Sequence, residues 1–371
     1  MFLKYFFDTV KLHWLRGMNS YIKPRFINFI LTYRCNARCI MCNIWNVYLR
    51  DPALLKEELT AEDIDKFIAD NRQELSELRN FGLSGGDPLL MRSDFVKIVK
   101  IIKSRLPDVH LGVQTNGLIP ELAKERLQEI LAFYPQFSLA VSLDGIGETH
   151  DKVRGTPGAF EKAVQTIKYA QKSGIANITA GMTLNRYNYA QIRQVKEYVE
   201  SLGVEFSCFP IEIANYFDNE AAADFQLDKE QWDQVIGQLK ECCGYHYYMD
   251  NLRLQLERKQ PRRLPCFSGF TSLVIDPYGN VKPCVLKVKG ADNDVFGNIK
   301  QASLKEMLTS RAAREIREKI KKCSCWCQCE VSSSAVVCPV DVLKWLIFRC
   351  PDKKGFLKRA LAKKDKYSSL L

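Results

Sequence analysis

The segment Phe26-Ile-Asn-Phe-Ile-Leu-Thr-Tyr-Arg-Cys35-Asn-Ala-Arg-Cys39-Ile-Met-Cys42 joins an apolar run to three cysteines at spacings of four and three residues. The apolar run predicts a buried strand, and the cysteines follow at its carboxyl end. Three thiolates at these spacings can surround one cubane iron–sulfur cluster and leave one of its irons open to a small molecule. A structural zinc ion or three unrelated thiols is the alternative interpretation.

From residue 26 to residue 210, short apolar runs alternate with amphipathic stretches of helical period. This alternation predicts an α/β fold in which helical crossovers join six parallel strands and place their carboxyl ends on one face. The predicted strands are 27–32, 78–83, 110–115, 137–143, 177–184 and 204–209. The predicted helices are 61–73, capped by Thr60, then 93–105, 121–132, 159–173 and 188–202, the last two ending near Gly174 and Gly203.

After Pro210 the pattern changes, so we expect a second unit beyond the barrel. A helix is predicted over 228–242, a hairpin over 271–276 and 281–285, and a helix over 303–320. The predicted organisation is an N-terminal basic amphipathic helix (1–25), a partial barrel (26–225), a helical linker (226–261), a cysteine-rich unit (262–340) and a basic amphipathic tail (341–371).

The 371 residues carry a formal net charge of +11, and the excess lies at the two ends. Residues 1–34 hold six Lys or Arg and one Asp, and residues 339–371 hold nine Lys or Arg and three Asp. The balanced middle argues against a nucleic-acid groove, which usually spreads positive charge over the folded body. The opening residues lack a cleavable signal, so the 14 cysteines predict metal ligation in a reducing cytoplasm rather than disulfides.

A second motif ends the next predicted strand, where Phe81-Gly-Leu-Ser-Gly85-Gly86-Asp87-Pro-Leu places two glycines before a carboxylate. Glycines let the backbone approach a ligand closely, although a Gly-Gly turn alone is a weak signal. The cysteine triplet followed by Gly-Gly-Asp-Pro resembles the radical S-adenosylmethionine (SAM) superfamily, whose usual form is Gly-Gly-Glu-Pro. The resemblance covers about residues 26–210 and implies a partial (β/α)6 TIM-like barrel.

This resemblance implies a [4Fe-4S] cluster held by Cys35, Cys39 and Cys42, with S-adenosylmethionine chelating the open iron. It further implies cofactor contacts from Gly85, Gly86, Asp87, Gln114, Asn116, Ser142 and Arg154. In similar members the serine touches the ribose and an arginine twelve residues later meets the methionine carboxylate, the spacing of Ser142 and Arg154. The alternatives are an ordinary turn serine and a surface arginine. Met41 stands where the family often has an aromatic residue.

A second cysteine group resembles the opening of the auxiliary-cluster domains called SPASM or Twitch, through Cys266, Gly279, Cys284 and Phe296-Gly-Asn-Ile. The later cysteines depart from that pattern because Cys323, Cys325, Cys327 and Cys329 lie two apart, about 6.6 Å per step in an extended strand. We expect one auxiliary [4Fe-4S] cluster on Cys266, Cys284, Cys323 and Cys327. Structural zinc, or a further cluster using Cys329 and Cys338, is the alternative.

The resemblance implies an enzyme that reductively cleaves S-adenosylmethionine to a 5′-deoxyadenosyl radical, which removes hydrogen from a substrate. The substrate is expected to be small or lipid-linked, with a peptide or protein side chain as the alternative; the reductant is expected to be of the flavodoxin or ferredoxin type. No catalytic residue is assigned, although Glu212 is a candidate beside the sixth strand. An iron–sulfur electron carrier and a zinc-containing nucleic-acid binder are the rival classes.

The residue patterns at both ends of the chain predict contact with a membrane surface. Leu3, Phe6, Phe7, Val10 and Trp14 fall on one face of a helix whose other side is charged. The C-terminal tail combines an apolar stretch with many lysines. Aromatic faces beside basic residues suit an interfacial helix, so we expect a cytoplasmic protein held loosely at the inner face of the membrane. The alternative is that both helices dock on the barrel.

Overall fold

The computed structural model describes residues 2–91, 93–212, 219, 224–242, 265–285 and 294–323. Within these residues the strands are β1 (Phe26–Thr32), β2 (Asn80–Gly85), β3 (His110–Thr115), β4 (Ser138–Ser142), β5 (Asn177–Leu184), β6 (Glu205–Pro210), β7 (Ser272–Ile275), β8 (Asn280–Lys282) and β9 (Gly297–Asn298). They form one sheet in the order β6-β5-β4-β3-β2-β1-β7-β8-β9.

Helices connect these strands and cover their outer face. They are α1 (Phe2–Gly17), α2 (Val47–Arg50), α3 (Ala61–Asp70), α4 (Ser93–Arg105), α5 (Pro120–Leu131), α6 (Glu148–Arg154), α7 (Ala159–Lys172), α8 (Ile192–Ser201), α9 (Lys229–Cys242), α10 (Leu304–Thr309) and α11 (Arg311–Lys321). Short 3-10 turns occupy Ile44–Asn46, Pro52–Glu57, Glu74–Glu77, Pro88–Met91 and Tyr189–Gln191. Thr60 caps α3 in a capping box with Asp63.

Strands β1 to β6 pair consecutively and in parallel, which confirms the predicted α/β fold with a partial (β/α)6 barrel. Helical crossovers bring every strand back in the same direction, so their carboxyl ends lie at one edge of the sheet. Gly174 and Gly203 have φ values of +90° and +70° in the turns after α7 and α8, as the C-cap prediction required.

The strands are apolar toward the helices and small or polar toward the concave side. In β2, Phe81 and Leu83 are almost fully buried, whereas Asn80, Gly82 and Ser84 are half-buried. The same alternation runs through β3, β4 and β5. Closed barrels fill their interior with bulky branched side chains. Here the apolar contacts lie between sheet and helices instead, and the concave side is left hollow.

The hairpin β7–β8 extends the barrel sheet, because β7 pairs in parallel with β1 through residues 26–29 and 272–275. Helix α1 packs against the segment before this hairpin: Arg16 Nε donates to the carbonyl of Cys266 at 2.6 Å, and Leu12 is buried in the main core. The predicted cysteine-rich unit is therefore continuous with the barrel sheet over these residues. The predicted domain boundaries stay predictions.

Several local details differ from the sequence predictions. The single helix expected over 303–320 is two helices, since Ser310 has extended backbone (φ −61°, ψ 160°) and its side chain caps α11 by accepting from the amide of Ala313. The second hairpin strand ends at Lys282, and neither α6 nor β9 was anticipated. Cys325, Cys327, Cys329, Cys338 and the basic tail lie outside the described residues.

Replacing Phe81 by alanine is expected to destabilise the fold by about 3–5 kcal/mol, because its ring is fully buried 5.7 Å from the Phe29 ring. The matched control is Phe133→Ala, since that ring is 37% exposed beneath Lys100 and its loss is expected to cost about 1 kcal/mol or less. Urea unfolding followed by circular dichroism measures both. Equal losses for the two variants would contradict this account of the core.

Candidate functional site

The turn after β2 packs directly on the cysteine loop that follows β1. The amide of Gly86 donates to the Thr32 carbonyl at 2.8 Å, and the amide of Asp87 donates to the Arg34 carbonyl at 2.7 Å. A Cβ on Gly86 would lie 2.1 Å from the Arg34 carbonyl oxygen and 2.9 Å from Cys35 Cβ, closer than real atoms approach. The two glycines are therefore required for the two loops to meet.

Above this contact lies a cavity of about 200 Å³, which we call the upper cavity. Its lining includes the residues that the sequence motifs singled out: Cys35, Cys39, Cys42, Gly85, Gly86, Gln114, Asn116, Ser142 and Arg154. They come from the carboxyl ends of β1, β2, β3 and β4 and from α6, as a parallel sheet with helical crossovers requires. The structure thus brings together three cysteines and most of the predicted cofactor contacts.

The three thiols are held in a low-dielectric environment. Burial raises the pKa of Cys35 to about 11 and that of Cys42 to about 12. Burial also raises the pKa of Cys39, although the Arg154 guanidinium, 3.7 Å from its sulfur, acts in the opposite direction. Thiolates in such a place need a compensating positive charge, which a bound metal centre supplies.

Arg154 is buried at the wall of the upper cavity and has one donor without a partner. Its Nη2 lies 2.6 Å from Asp144 Oδ2, whereas its Nε is buried without a hydrogen-bond partner in the described part of the chain. Burial alone would lower the pKa of this guanidinium, but the Asp144 carboxylate and the Cys39 sulfur outweigh burial and raise it. A permanently charged arginine with an unused donor suits an anionic group such as a carboxylate.

Asp144 is itself held in place by its neighbours. Its Oδ1 accepts from the amide of Thr183 at 2.7 Å, and its own amide donates to Nδ1 of His150 at 2.8 Å. Burial lowers the pKa of His150 to about 3, so the ring is neutral and can accept that bond. Asp144 positions Arg154, a role that the sequence analysis missed; the signal was its place directly after β4 in Ser142-Leu-Asp144.

Asp87 is turned into the protein rather than toward the upper cavity. Its Oδ2 accepts from Thr115 Oγ1 at 2.7 Å and from the amide of Asn116 at 3.0 Å, and its Oδ1 accepts from the amide of Leu89. The carboxylate therefore ties β3 to the turn after β2. A contact between Asp87 and a cofactor stays a prediction, and the geometry gives its side chain a positioning role.

The remaining predicted contacts lie in the same wall. Asn116 donates to Asn36 Oδ1 at 2.8 Å and faces Cys35 Sγ at 3.7 Å, which fixes the start of the cysteine loop. Met41 is buried and accepts at its carbonyl from Asn219 Nδ2 at 2.9 Å. Glu212, the candidate catalytic carboxylate, also lines the upper cavity. Asn219 was not anticipated, because it is distant in sequence from every motif.

The second cysteine group lies beside the hairpin. A Cβ on Gly269 would lie 3.1 Å from Pro283 and from Ile320, so the segments that carry Cys266, Cys284 and Cys323 converge around one glycine. The chain segments that carry three of the four predicted auxiliary ligands thus converge. The fourth, Cys327, lies outside the described residues.

The donor set around the upper cavity is compatible with an iron–sulfur cluster. Three thiols on one loop, next to an arginine with an unused donor, suit a cubane that binds a carboxylate-bearing ligand at its open corner. The residues present fit a [4Fe-4S] cluster and S-adenosylmethionine.

Comparison with known proteins agrees with this geometry. The model of the radical SAM superfamily matches residues 29–199, and that of the SPASM iron–sulfur cluster-binding domain matches residues 266–330. The antilisterial bacteriocin subtilosin biosynthesis protein AlbA of Bacillus subtilis is 26% identical over 309 residues, which cover 79% of this chain and 61% of that protein. The chain thus spans less than two thirds of that relative's length.

Two further matches cover most of the chain. The AdoMet-dependent heme synthase of Methanosarcina barkeri is 26% identical over 311 residues, which cover 76% of this chain and 82% of that protein. The solved structure of native anSMEcpe with bound AdoMet superposes with a TM-score of 0.57 at 17% identity, covering 79% of this chain and 83% of that one. At this identity the structural match establishes a shared fold.

Gly86→Ala is expected to prevent assembly of the first cysteine site, because the added methyl group collides with the backbone of Arg34 and displaces Cys35. The control is Gly82→Ala on β2, the strand that precedes this turn, where the new Cβ meets nothing closer than 3.8 Å. Iron per chain after anaerobic reconstitution measures both: Gly86→Ala should lose the iron of one cluster and Gly82→Ala none. Full iron content in Gly86→Ala would show that the close approach is dispensable.

Proposed function

Because the chain belongs to the radical SAM superfamily and carries a SPASM domain, we propose that it cleaves S-adenosylmethionine reductively and directs the resulting radical to a bound substrate. One observation carries this proposal. The glycine turn, the three thiols and Arg154, whose Nε has no hydrogen-bond partner in the described part of the chain, all line one cavity. A simple electron carrier needs neither a ligand-binding turn nor an unsatisfied buried arginine.

When bound, a [4Fe-4S] cluster supplies one electron to the sulfonium of S-adenosylmethionine, which yields methionine and the 5′-deoxyadenosyl radical. The chain's own residues bind the cluster, orient S-adenosylmethionine and enclose the site. Cys35, Cys39 and Cys42 hold the cluster, and the free Nε of Arg154 receives the methionine carboxylate. Apolar Met41 and Ile211 in the cavity wall exclude water, which protects a reactive carbon radical.

The site residues have distinct roles in this proposal. Backbone groups of Gly85 and Gly86 hold the amino group of S-adenosylmethionine, and Ser142 contacts its ribose. Gln114 and Asn116 complete the wall on the β3 side. Cys266, Cys284, Cys323 and Cys327 would hold one auxiliary [4Fe-4S] cluster, whose chemistry would be substrate ligation or one-electron acceptance.

Relatives point to two substrate classes. One is named for the biosynthesis of the bacteriocin subtilosin and another as a heme synthase, so a peptide and a small molecule are both represented. Modification of a small or lipid-linked molecule and maturation of a peptide side chain are therefore the two candidates for this chain. The shape and polarity of the barrel interior bear on the choice between them.

A one-electron donor of the flavodoxin or ferredoxin type is the partner that this chemistry requires. Arg38 is exposed between Cys35 and Cys39, and its guanidinium stacks over the Trp45 ring at 4.6 Å. A cation at the surface of the cysteine loop favours the approach of an acidic electron-transfer protein.

We further propose that α1 rests on an anionic membrane surface at the cytoplasmic side. The helix docks on the protein through Leu12 and Arg16, yet Val10 and Trp14 are 49% and 63% exposed, and Lys11 is exposed beside them. Among the helices of the described ranges, none has the length and hydropathy of a membrane span. Cations and apolar side chains on one helix suit a lipid surface of negative charge.

Cys39→Ala is expected to lower 5′-deoxyadenosine formation by at least about 100-fold, since loss of a cluster ligand costs more than loss of its outer-shell partner. The assay uses anaerobically reconstituted protein, dithionite and S-adenosylmethionine, with product measured by chromatography. Cys208→Ala is the control, because that thiol is buried on β6 away from the upper cavity. A Cys39→Ala protein that formed product at the parent rate would remove the assignment of the first cysteine site.

The double change Val10→Ser and Trp14→Ser is expected to lower binding to vesicles of phosphatidylglycerol by at least about tenfold, because it removes roughly 2 kcal/mol or more of apolar contact. Co-sedimentation measures it, with Phe133→Ser as the control for an exposed ring elsewhere. Unchanged sedimentation of the double variant would argue that α1 only docks on the barrel.

A further inference from the structure

A second cavity of about 440 Å³ occupies the concave side of the sheet below the upper cavity. We call it the lower cavity; it is lined by β1 to β5, by β7 and by the end of the hairpin at Cys284. Asn28, Ser84, Gln114 and Val285 line both cavities, so the two adjoin. The lower cavity therefore reaches from the proposed radical site to the second cysteine group.

The lower cavity exists because small residues take positions where closed barrels carry bulky ones. Gly82 and Gly112 are register partners on β2 and β3, and Ala140 lies on β4 two residues beyond Ser138, the partner of Gly112. The space at Gly82 is real room rather than a tight backbone contact, since a Cβ there would lie 3.8 Å from the nearest atom, Asn28 Oδ1. A pocket of this kind in the path between two cysteine groups is suited to hold a substrate.

The described lining of the lower cavity contains no Lys, Arg, Asp or Glu. Its one histidine, His110, has its pKa lowered by burial and by the charge of Lys103, so the ring is neutral. A carboxylate or phosphate placed here would lose its hydration without meeting a counter-charge, which is strongly unfavourable. An uncharged ligand pays no such penalty.

A chain of hydrogen bonds leads from Tyr134 through His110 to Ser138 in the lining of the lower cavity. The amide of Leu111 donates to the Tyr134 hydroxyl at 3.2 Å, and that hydroxyl lies 3.4 Å from Nδ1 of His110. Nε2 of the same ring lies 2.9 Å from Ser138 Oγ. In the tautomer with the proton on Nε2, His110 donates to Ser138 and the Ser138 proton is available to a ligand.

The side-chain amides of Asn28 and Asn80 also offer hydrogen-bond donors to a ligand in the lower cavity. Ser84 Oγ donates to Asn28 Oδ1 at 2.7 Å, which leaves the Asn28 NH₂ group for the cavity. Asn80 Nδ2 is buried without a hydrogen-bond partner in the described part of the chain. Since an unsatisfied buried donor is costly, a ligand that supplies an oxygen acceptor to Asn80 Nδ2 is favoured, and Asn28 and Ser138 can donate to it as well.

We propose that the lower cavity binds an uncharged, carbonyl-bearing part of the substrate, such as an amide, through Asn28, Asn80 and Ser138, and excludes anionic groups. This inference rests on the proposed function, whose substrate class it narrows. A peptide segment satisfies it, whereas the propionates of a tetrapyrrole or the pyrophosphate of a lipid carrier do not enter the lower cavity.

The test uses a reporter cysteine in the reconstituted full-length protein. Gly82→Cys places a thiol in the lower cavity, and Gly237→Cys on α9, where a Cβ meets no atom within 4 Å, is the matched glycine control. Each protein is treated with neutral iodoacetamide or anionic iodoacetate, and peptide mapping by mass spectrometry gives the labelling rate at the reporter. Ala140→Cys is a second reporter on β4 in case Gly82→Cys does not fold.

We expect the ratio of the iodoacetamide to the iodoacetate rate to be at least about tenfold higher at residue 82 than at residue 237, a difference of about 1.4 kcal/mol. Equal ratios at both positions, or no labelling of either cavity reporter on the time scale that labels residue 237, would overturn the proposal. Labelling needs neither an electron nor S-adenosylmethionine, so this outcome is separate from success or failure of the proposed function.

Protection experiments then identify the ligand chemistry. N-acetylalanine N-methylamide should slow iodoacetamide labelling at residue 82 at least about threefold at a concentration where N-acetylalaninate has no effect, and Ser138→Ala should weaken that protection. Protection by the diamide alone supports a peptide segment, and equal protection by N-methylacetamide supports a small amide. Protection by the carboxylate as strong as that by the diamide contradicts the proposal.

Discussion

Two backbone hydrogen bonds, from Gly86 to Thr32 and from Asp87 to Arg34, hold the turn after β2 against the loop after β1. They are possible because residue 86 is a glycine. A side chain at this position would overlap the Arg34 carbonyl. Parallel pairing of β1 with β2 delivers both segments to the same edge of the sheet. The cysteine triplet, the wall of the upper cavity and the position of Arg154 all depend on this contact, since α6 in turn pairs with the loop through Arg38 and Arg154.

The apolar side chains of the barrel strands pack on its outer face, between the sheet and the helices. Phe29, Phe81 and Leu111 face the helices and are fully buried, whereas the positions beside them on the same strands face the hollow. The apolar burial that stabilises the fold therefore lies in the layer between the sheet and the helices. The concave side is then free to carry small and polar side chains, which leave room for the lower cavity.

The hairpin gives the second cysteine group a fixed place relative to the first. Because β7 pairs with β1 and β8 pairs with β7, the strand that precedes Cys284 lies two strands along the sheet from the strand that precedes Cys35. Contacts at the hairpin turn reinforce this pairing: the amide of Leu59 donates to the Pro277 carbonyl at 2.7 Å, and the rings of Tyr33 and Tyr278 meet edge to face. One continuous sheet therefore sets the separation of the two groups, with the lower cavity between them.

The amino-acid sequence by itself determined the six parallel strands, their crossover helices, the caps at Thr60, Gly174 and Gly203, and the cysteine triplet, because periodicity and cap chemistry are local properties. It also pointed to Ser142 and Arg154 through a resemblance. Only the tertiary structure decided that β7 joins β1, that Asp87 turns inward, that Asp144 orients Arg154, and that Gly82 and Gly112 open a cavity. These features depend on residues far apart in the chain, and a local pattern does not specify which distant backbone or side chain will be its neighbour.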